Sequence, residues 1–366
     1  GYGIEDPNAI RNFIAYAYEH WVEPKPAYVL LIGDGHFDPK DNLGIGRPSF
    51  IPPFLANCDP EIGETAADNR YVSIIGDDVL PDLMLGRLSV NTEIEAQSII
   101  NKIIAYESNP PEGDWQRKIL AVTDNLDTAH YPLLSESILR DYFPSEPFEA
   151  EEVYWKWTHN DKNVARADIQ NAFNEGVFLV NYIGHAYYAG WADEELFTTK
   201  DIANLQPQDK LPVILALTCL EGYFQAPYLY ADGWEAMGEV ITRTEGKGAV
   251  ASWSPTGWGS VNGHDALDRG FFKAVYQDGT SIISDATYAG ILNLWATGDN
   301  LDLLDTYLLF GDPAMRMSLS LTAVKDTYTV NEDEVLTVGA EEGVLNNDIN
   351  PDDGALTAML VDDVLA

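Results

Sequence analysis

Two apolar runs separated by a polar stretch constrain this chain more than any other feature. Val177–Ile183 and Leu211–Thr218 have the length and β-branched content of strands buried on both faces, as in a parallel sheet under two helical layers. Each delivers one reactive residue at its carboxyl end. The first stops at Gly184 and presents His185; the second stops at Thr218 and presents Cys219, with Gly222 just beyond. The separation, 219 − 185 = 34 residues, is enough for a strand, a crossover and the return strand of one βαβ unit. Ligands of open parallel sheets bind just past the strand carboxyl ends, so the two side chains are expected to share one crevice. A lone cysteine ordinarily packs, and a lone histidine ordinarily hydrogen-bonds. The pair at two strand exits, each beside small residues, points to a nucleophile and a base.

The stretch NYIGHAYYAGW at 181–191 followed by ILALTCLEGYF at 214–224 resembles the catalytic core of the gingipain-type cysteine peptidases, family C25, which have a caspase-like fold. Upstream, YVLLIGDGHFDP, the IPP at 51–53, ADNRYVSIIGDD and LMLGRLSV match the family's first part in order and spacing. Downstream, GAVASWSPTGWG and YLLFGDPAM match its last strands. The likeness spans roughly residues 7–317, and the ordered set is more specific than any one piece. One departure is visible: the family's His-Gly pair is His185-Ala186 here.

The resemblance implies an α/β fold, a caspase-like three-layer αβα arrangement with mostly parallel sheets in two subdomains. It implies a cysteine-type endopeptidase acting on protein or peptide substrates through an acyl-enzyme, with no cofactor required for the chemistry. Cys219 would be the nucleophile and His185 its base, with the backbone N–H groups of Cys219 and Ala186 as oxyanion donors. Asp124, at the end of the strand Lys118–Thr123, stands where the family places an acid against the histidine; capping the next helix is the competing role. Trp258 corresponds to the indole over the primary specificity pocket, and Gly184 and Gly222 complete the substrate-binding set. The acid that pairs with substrate arginine in that family should fall near His130–Pro132, where there is no Asp or Glu. Basic specificity is therefore not carried over, and Asp127 is a nearby acid without a matching position. Two rival readings remain: a sortase-like transpeptidase of a secretion system, and a catalytically silent, Ca-dependent surface adhesin.

Charge removes other classes. Twenty-one basic residues against 59 acidic ones give a net charge of −38, which argues against nucleic acid or an anionic membrane as partner. Solubility, carboxylates for calcium and steering of basic substrates each account for the acidity. Structural calcium is left open, and no metal ligand set is assigned: three aspartates in the loop 33–41 lack EF-hand spacing and read as a turn. His36 in that loop has no assignable partner. Cys58 and Cys219 are the two cysteines, too few for a disulfide framework, and both are expected as free thiols, with Cys58 structural. No run approaches the roughly 20 apolar residues of a membrane span.

Three regions are expected: a truncated N-terminal α/β subdomain at 1–113, a catalytic α/β subdomain at 114–320 and a partial β segment at 321–366. Asp6 and Pro7 open a helix as N-cap and first residue, with Ile10, Phe13, Ile14, Ala17 and Trp21 as its buried stripe. Residues 42–70 read as loop. Tyr71–Ile75 and Leu83–Arg87 read as a hairpin or two edge strands, and Thr92 with Glu95 forms a capping box before a helix at 94–107. The resemblance implies an earlier strand and helix, so a separate N-terminal fragment of the same precursor is expected as a partner. From Thr322 onward the short β-prone runs and Asx-Gly turns resemble the opening of a cadherin-like or VCBS-type repeat. With the peptidase resemblance, this implies a secreted or bacterial cell-surface protein.

Overall fold

The structure, a computed structural model, describes residues 5–125, 131–227 and 234–319, with 328–329, 337–339, 343–345, 348 and 356–358. The expected β repeat at 321–366 therefore lies almost wholly outside the described residues, as do Asp127 and His130.

Thirteen strands are formed among the described residues. They are β1 Tyr28–Ile32, β2 Leu55–Asp59, β3 Gly63–Ala66, β4 Met84–Leu88, β5 Lys118–Thr123, β6 Glu149–Tyr154, β7 Leu179–Ile183, β8 Ala186–Tyr187, β9 Gly190–Trp191, β10 Phe197–Thr198, β11 Val213–Leu217, β12 Ala251–Pro255 and β13 Tyr307–Phe310. Eight of them form one sheet in the order β1-β4-β13-β12-β11-β7-β5-β6. Every neighbouring pair in it is parallel except β12 with β13. The mixed α/β fold with a mostly parallel sheet is thus the expected one. The antiparallel junction divides the strands into two groups running in opposite directions, and β1 and β4 from the first 113 residues join the same sheet as the rest.

Successive side chains of a strand point to opposite faces, and in β7 and β11 both faces are covered. Leu179, Ile183, Leu215 and Leu217 join a core with the helices Glu93–Ser108, Tyr131–Tyr142, Val261–Tyr276 and Ile283–Thr297. Val180, Tyr182, Ile214 and Ala216 join a second core with Lys162–Glu175 and Met237–Arg243. That two-sided burial is why both runs are continuously apolar.

Local signals set the helix starts. Asp6 accepts from the Asn8 N–H ahead of Pro7, and Thr92 and Glu95 form the reciprocal capping box at Glu93–Ser108. The first helix departs from its expected stripe: Ile14 and Ala17 are buried, whereas Phe13 and Trp21 face outward and meet edge to face. In Glu93–Ser108 the buried face carries Ile99, Lys102, Ile103 and Tyr106, while Ile104 is exposed. Lys102 is tolerated inside because its Nζ donates to the carbonyls of Lys247 and Ala249, both at 3.0 Å.

Residues 42–70 are corrected from loop to a stretch that contains the β2–β3 hairpin. Tyr71–Ile75 is not a strand: a 3₁₀ turn, Asp68–Tyr71, ends there, and β4 instead pairs parallel to β1. Arg87 of β4 ties this region together. Fully buried, it pairs with Asp68 and donates to the carbonyls of Gly33 (2.8 Å) and Ile51 (3.0 Å), with Phe224 stacked on its guanidinium.

Candidate active site

The register of the sheet builds the site. β11 pairs with β7 from Val213↔Leu179 to Leu217↔Ile183, an offset of 34 residues equal to the spacing of Cys219 and His185. Pairing continues past the strand ends: Gly184 N–H donates to Leu217 O at 3.4 Å, and Thr218 Oγ1 donates to Gly184 O at 2.7 Å. The two residues therefore leave adjacent strands side by side. On the other side of β7, Thr123 of β5 pairs with Ile183, and Asp124 N–H donates to Ile183 O at 3.2 Å. Asp124, His185 and Cys219 thus exit three neighbouring strands in a row.

Around Cys219 the chain turns sharply. Leu220 adopts φ +59°, a left-handed conformation that an apolar residue rarely holds without outside support. The support is the end of β12 and the loop after it: Gly222 N–H donates to Pro255 O at 2.8 Å and Leu220 N–H to Gly257 O at 2.9 Å. Cys219 Sγ points at Gly259 O, 3.7 Å away. Burial raises the thiol's pKa above its ordinary value, the contact with Gly259 O opposes the rise and the charge of Asp59 adds to it. The resting side chain is therefore a thiol at neutral pH.

Trp258 lies in this same loop, about half exposed, and its N–H donates to Asp59 Oδ2 at 2.6 Å. Asp59 also accepts from Glu61 N–H and Ile62 N–H, both at 2.8 Å, so the β2–β3 hairpin buttresses the loop that faces Cys219. The flanking glycines have no room for a side chain. A Cβ on Gly257 would stand 2.3 Å from Asp59 Oδ2, and one on Gly259 would stand 2.2 Å from His264 Nε2.

His185 is exposed and is held mainly through its backbone. Its N–H donates to Asp124 Oδ2 at 3.3 Å, and its carbonyl accepts from Ala192 N–H at 2.8 Å and from the Tyr182 hydroxyl. Asp124 therefore meets the main chain of His185 and, through Oδ1, that of Asn125. Burial lifts the Asp124 carboxyl to about 6, against the pull of those two N–H groups and of the imidazole. The ring finds another partner: Nε2 lies 3.3 Å from the hydroxyl of Tyr131, with the two rings edge to face. Sequence reasoning passed over Tyr131, which opens a helix and carries no motif.

The other named residues fall as follows. Ala186 begins β8 and pairs with Trp191 of β9; it is not among the residues with positive φ, so alanine there carries no backbone strain. Gly184 and Gly222 are closely packed by protein: a Cβ would meet Asp124 Cβ at 2.5 Å in the first case and the Phe310 ring at 2.7 Å in the second. Glu221 also went unnoticed. It is fully buried, accepts from Trp191 Nε1 at 3.0 Å, and is pushed up to about 7 by burial.

Cys58 lies in β2, with a thiol pushed up to about 12 chiefly by burial, and both cysteines are free. In the loop after β1, Asp38 accepts from Asn42 and Leu43 N–H groups, and Asp41 accepts from Gly46 N–H. His36 Nε2 meets Arg47 O at 3.0 Å, the partner the sequence left unassigned. Among the described residues no group of three or more His, Cys, Asp and Glu is disposed to hold a metal ion, and no helix is long and apolar enough to cross a membrane.

The profile of peptidase family C25 matches residues 1–318. Gingipain R2 of Porphyromonas gingivalis is 25% identical over 323 residues, which is 84% of this chain and 40% of the relative. Lys-gingipain of the same organism is 25% identical over 224 residues, 58% of this chain and 12% of the relative. The chain thus spans less than half the length of these curated relatives. Among solved structures, the Arg specific cysteine proteinase gingipain R superposes with a TM-score of 0.67 at 22% identity, covering 86% of this chain and 71% of that one. The complex of Porphyromonas gingivalis RgpB pro- and mature domains gives the same TM-score, covering 86% and 73%. These two likenesses speak for the fold.

Proposed function

The chain belongs to peptidase family C25, and we propose that it hydrolyses peptide bonds with Cys219 as nucleophile and His185 as base. The observation that carries this is the 34-residue register of β7 and β11, which sets the two residues at adjacent strand exits. Because burial keeps Cys219 protonated, the thiol needs a base at the moment of attack. His185 takes the S–H proton as sulfur adds to the scissile carbonyl, then delivers it to the departing amine. The product is a thioester. Water, deprotonated by His185, adds to it and expels the sulfur, and the thiol regains its proton.

Backbone N–H groups of Cys219 and Ala186 are the proposed donors to the oxyanion, each worth roughly 3 kcal/mol in related chemistry. Trp258, exposed beside the nucleophile's loop, is the proposed wall of the pocket for the substrate side chain. The mechanism uses no metal or cofactor. Secretion or display at the cell surface belongs to the same proposal, supported by the net charge of −38 and the likeness to gingipains. By analogy with the RgpB pro- and mature domains, an N-terminal fragment of the same precursor is proposed as a partner.

Hydrolysis of a fluorogenic peptide-amide library tests the reading. Wild-type protein should release the dye from at least one member and Cys219→Ala from none. Equal rates for the two proteins would refute the assignment.

A further inference from the structure

We propose that Tyr131 is the positioning residue for the His185 imidazole, the part that sequence reasoning had given to Asp124. The proposal rests on the peptidase reading above. Both carboxylate oxygens of Asp124 are occupied by main-chain donors, Oδ1 by Asn125 N–H and Oδ2 by His185 N–H. The imidazole's hydrogen bond runs instead from Nε2 to the Tyr131 hydroxyl at 3.3 Å. Nδ1 has no partner among the described residues and is left for the S–H and the leaving amine.

Tyr131 suits the task. It opens the helix Tyr131–Tyr142 and is buried in the larger core, while its ring meets the imidazole edge to face at 5.6 Å. The hydroxyl is thereby aimed before substrate arrives. A hydroxyl accepts as well as donates: with Nδ1 bare to take the S–H proton, Nε2 carries the hydrogen, and the Tyr131 oxygen accepts from it in neutral imidazole and in imidazolium alike, which holds that tautomer through both halves of the cycle. Burial and the neighbouring Asp124 and Cys219 push the phenol up to about 12, so it stays neutral while the histidine changes charge.

The test compares Tyr131→Phe with wild type on the peptide amide that wild type cleaves fastest and on its p-nitrophenyl ester, whose leaving group needs no proton. The variant keeps the ring and its packing. The loss of one hydrogen bond to a charged group should lower kcat on the amide by roughly ten- to a hundredfold, with KM unchanged and a smaller loss on the ester. A variant that matches wild type on the amide would overturn the proposal. So would equal losses on amide and ester accompanied by a lower Tm, which would make Tyr131 a packing residue. Wild-type protein inert on both substrates, with Cys219 unreactive toward a peptidyl electrophile, would instead bring down the peptidase reading and this proposal with it.

Discussion

Leu217 of β11 pairs with Ile183 of β7 in parallel register, and two residues beyond that pair the chain places Cys219 beside His185. Their placement is thus fixed by the hydrogen-bond ladder of two strands that are buried at every position. Removing the base while keeping the scaffold should cost what general base catalysis contributes. His185→Ala is expected to lower kcat by roughly 10²–10⁴-fold with an unchanged Tm, and steady-state kinetics beside thermal unfolding checks both.

The protonated state of Cys219 has a direct consequence. Burial holds its thiol pKa above the ordinary value, so alkylation by iodoacetamide, which requires thiolate, should be slow at pH 7 and climb through the alkaline range. Rates measured against pH would contradict this if they reached a plateau below pH 7.

Gly259 offers a sharper probe of the loop that faces the thiol. A Cβ there would stand 2.2 Å from His264 Nε2 and 3.1 Å from Leu303 Cδ2, and His264 is buried, so the loop must shift. Gly259→Ala should cost about 1–3 kcal/mol of stability and reduce activity further by moving the carbonyl that Cys219 faces. Urea unfolding and peptide hydrolysis on the same preparation measure the two effects.

The Arg87–Asp68 pair tests what holds the first region to the sheet. Both side chains are fully buried, and removing one partner leaves the other charge uncompensated. Arg87→Met should destabilise the protein by about 3–5 kcal/mol, and Arg87→Met with Asp68→Leu by less. Denaturation midpoints of the two variants decide it.

Stability should also respond to pH through buried acids. Glu221 and Asp268 are each pushed up to about 7 by burial. A carboxyl with a raised folded-state pKa contributes stability that is complete below its unfolded value of about 4 and is lost as pH rises through the folded one. The urea midpoint should therefore fall between about pH 4 and 7 from these groups. Asp268→Asn should flatten that fall, and an unchanged slope would refute the account.

The chain announced its central strands and several helix starts clearly, because two-sided burial gives an unbroken apolar run and a cap needs only neighbouring residues. Asp6 before Pro7 and Thr92 with Glu95 are of that kind. Contacts between distant segments were not legible. Asp59 reaches Trp258 N–H across 199 residues, and the β2–β3 hairpin sits in a proline-dense stretch with no alternating pattern. Strand direction was hidden too, since periodicity does not distinguish the β1, β4 and β13 group from the strands that run against it. In the helix Glu93–Ser108, Lys102 lies inside beside Ile99 and Ile103 because two carbonyls accept from its Nζ, and nothing in the neighbouring sequence marks that. At the site, Cys219, His185 and Asp124 are legible as strand-exit residues, and they leave three adjacent strands. That the acid would bind backbone while Tyr131 met the ring depends on how a helix packs, which no local spacing encodes.

The most direct measurement is the intact mass of the protein after incubation with peptidyl electrophiles spanning different side chains at the reactive position. Wild-type protein should gain a single adduct, Cys219→Ala none, and Cys58→Ser the same adduct as wild type. Labelling at Cys58, or no labelling of a folded wild-type sample by any member, would contradict the assignment of Cys219 as the nucleophile.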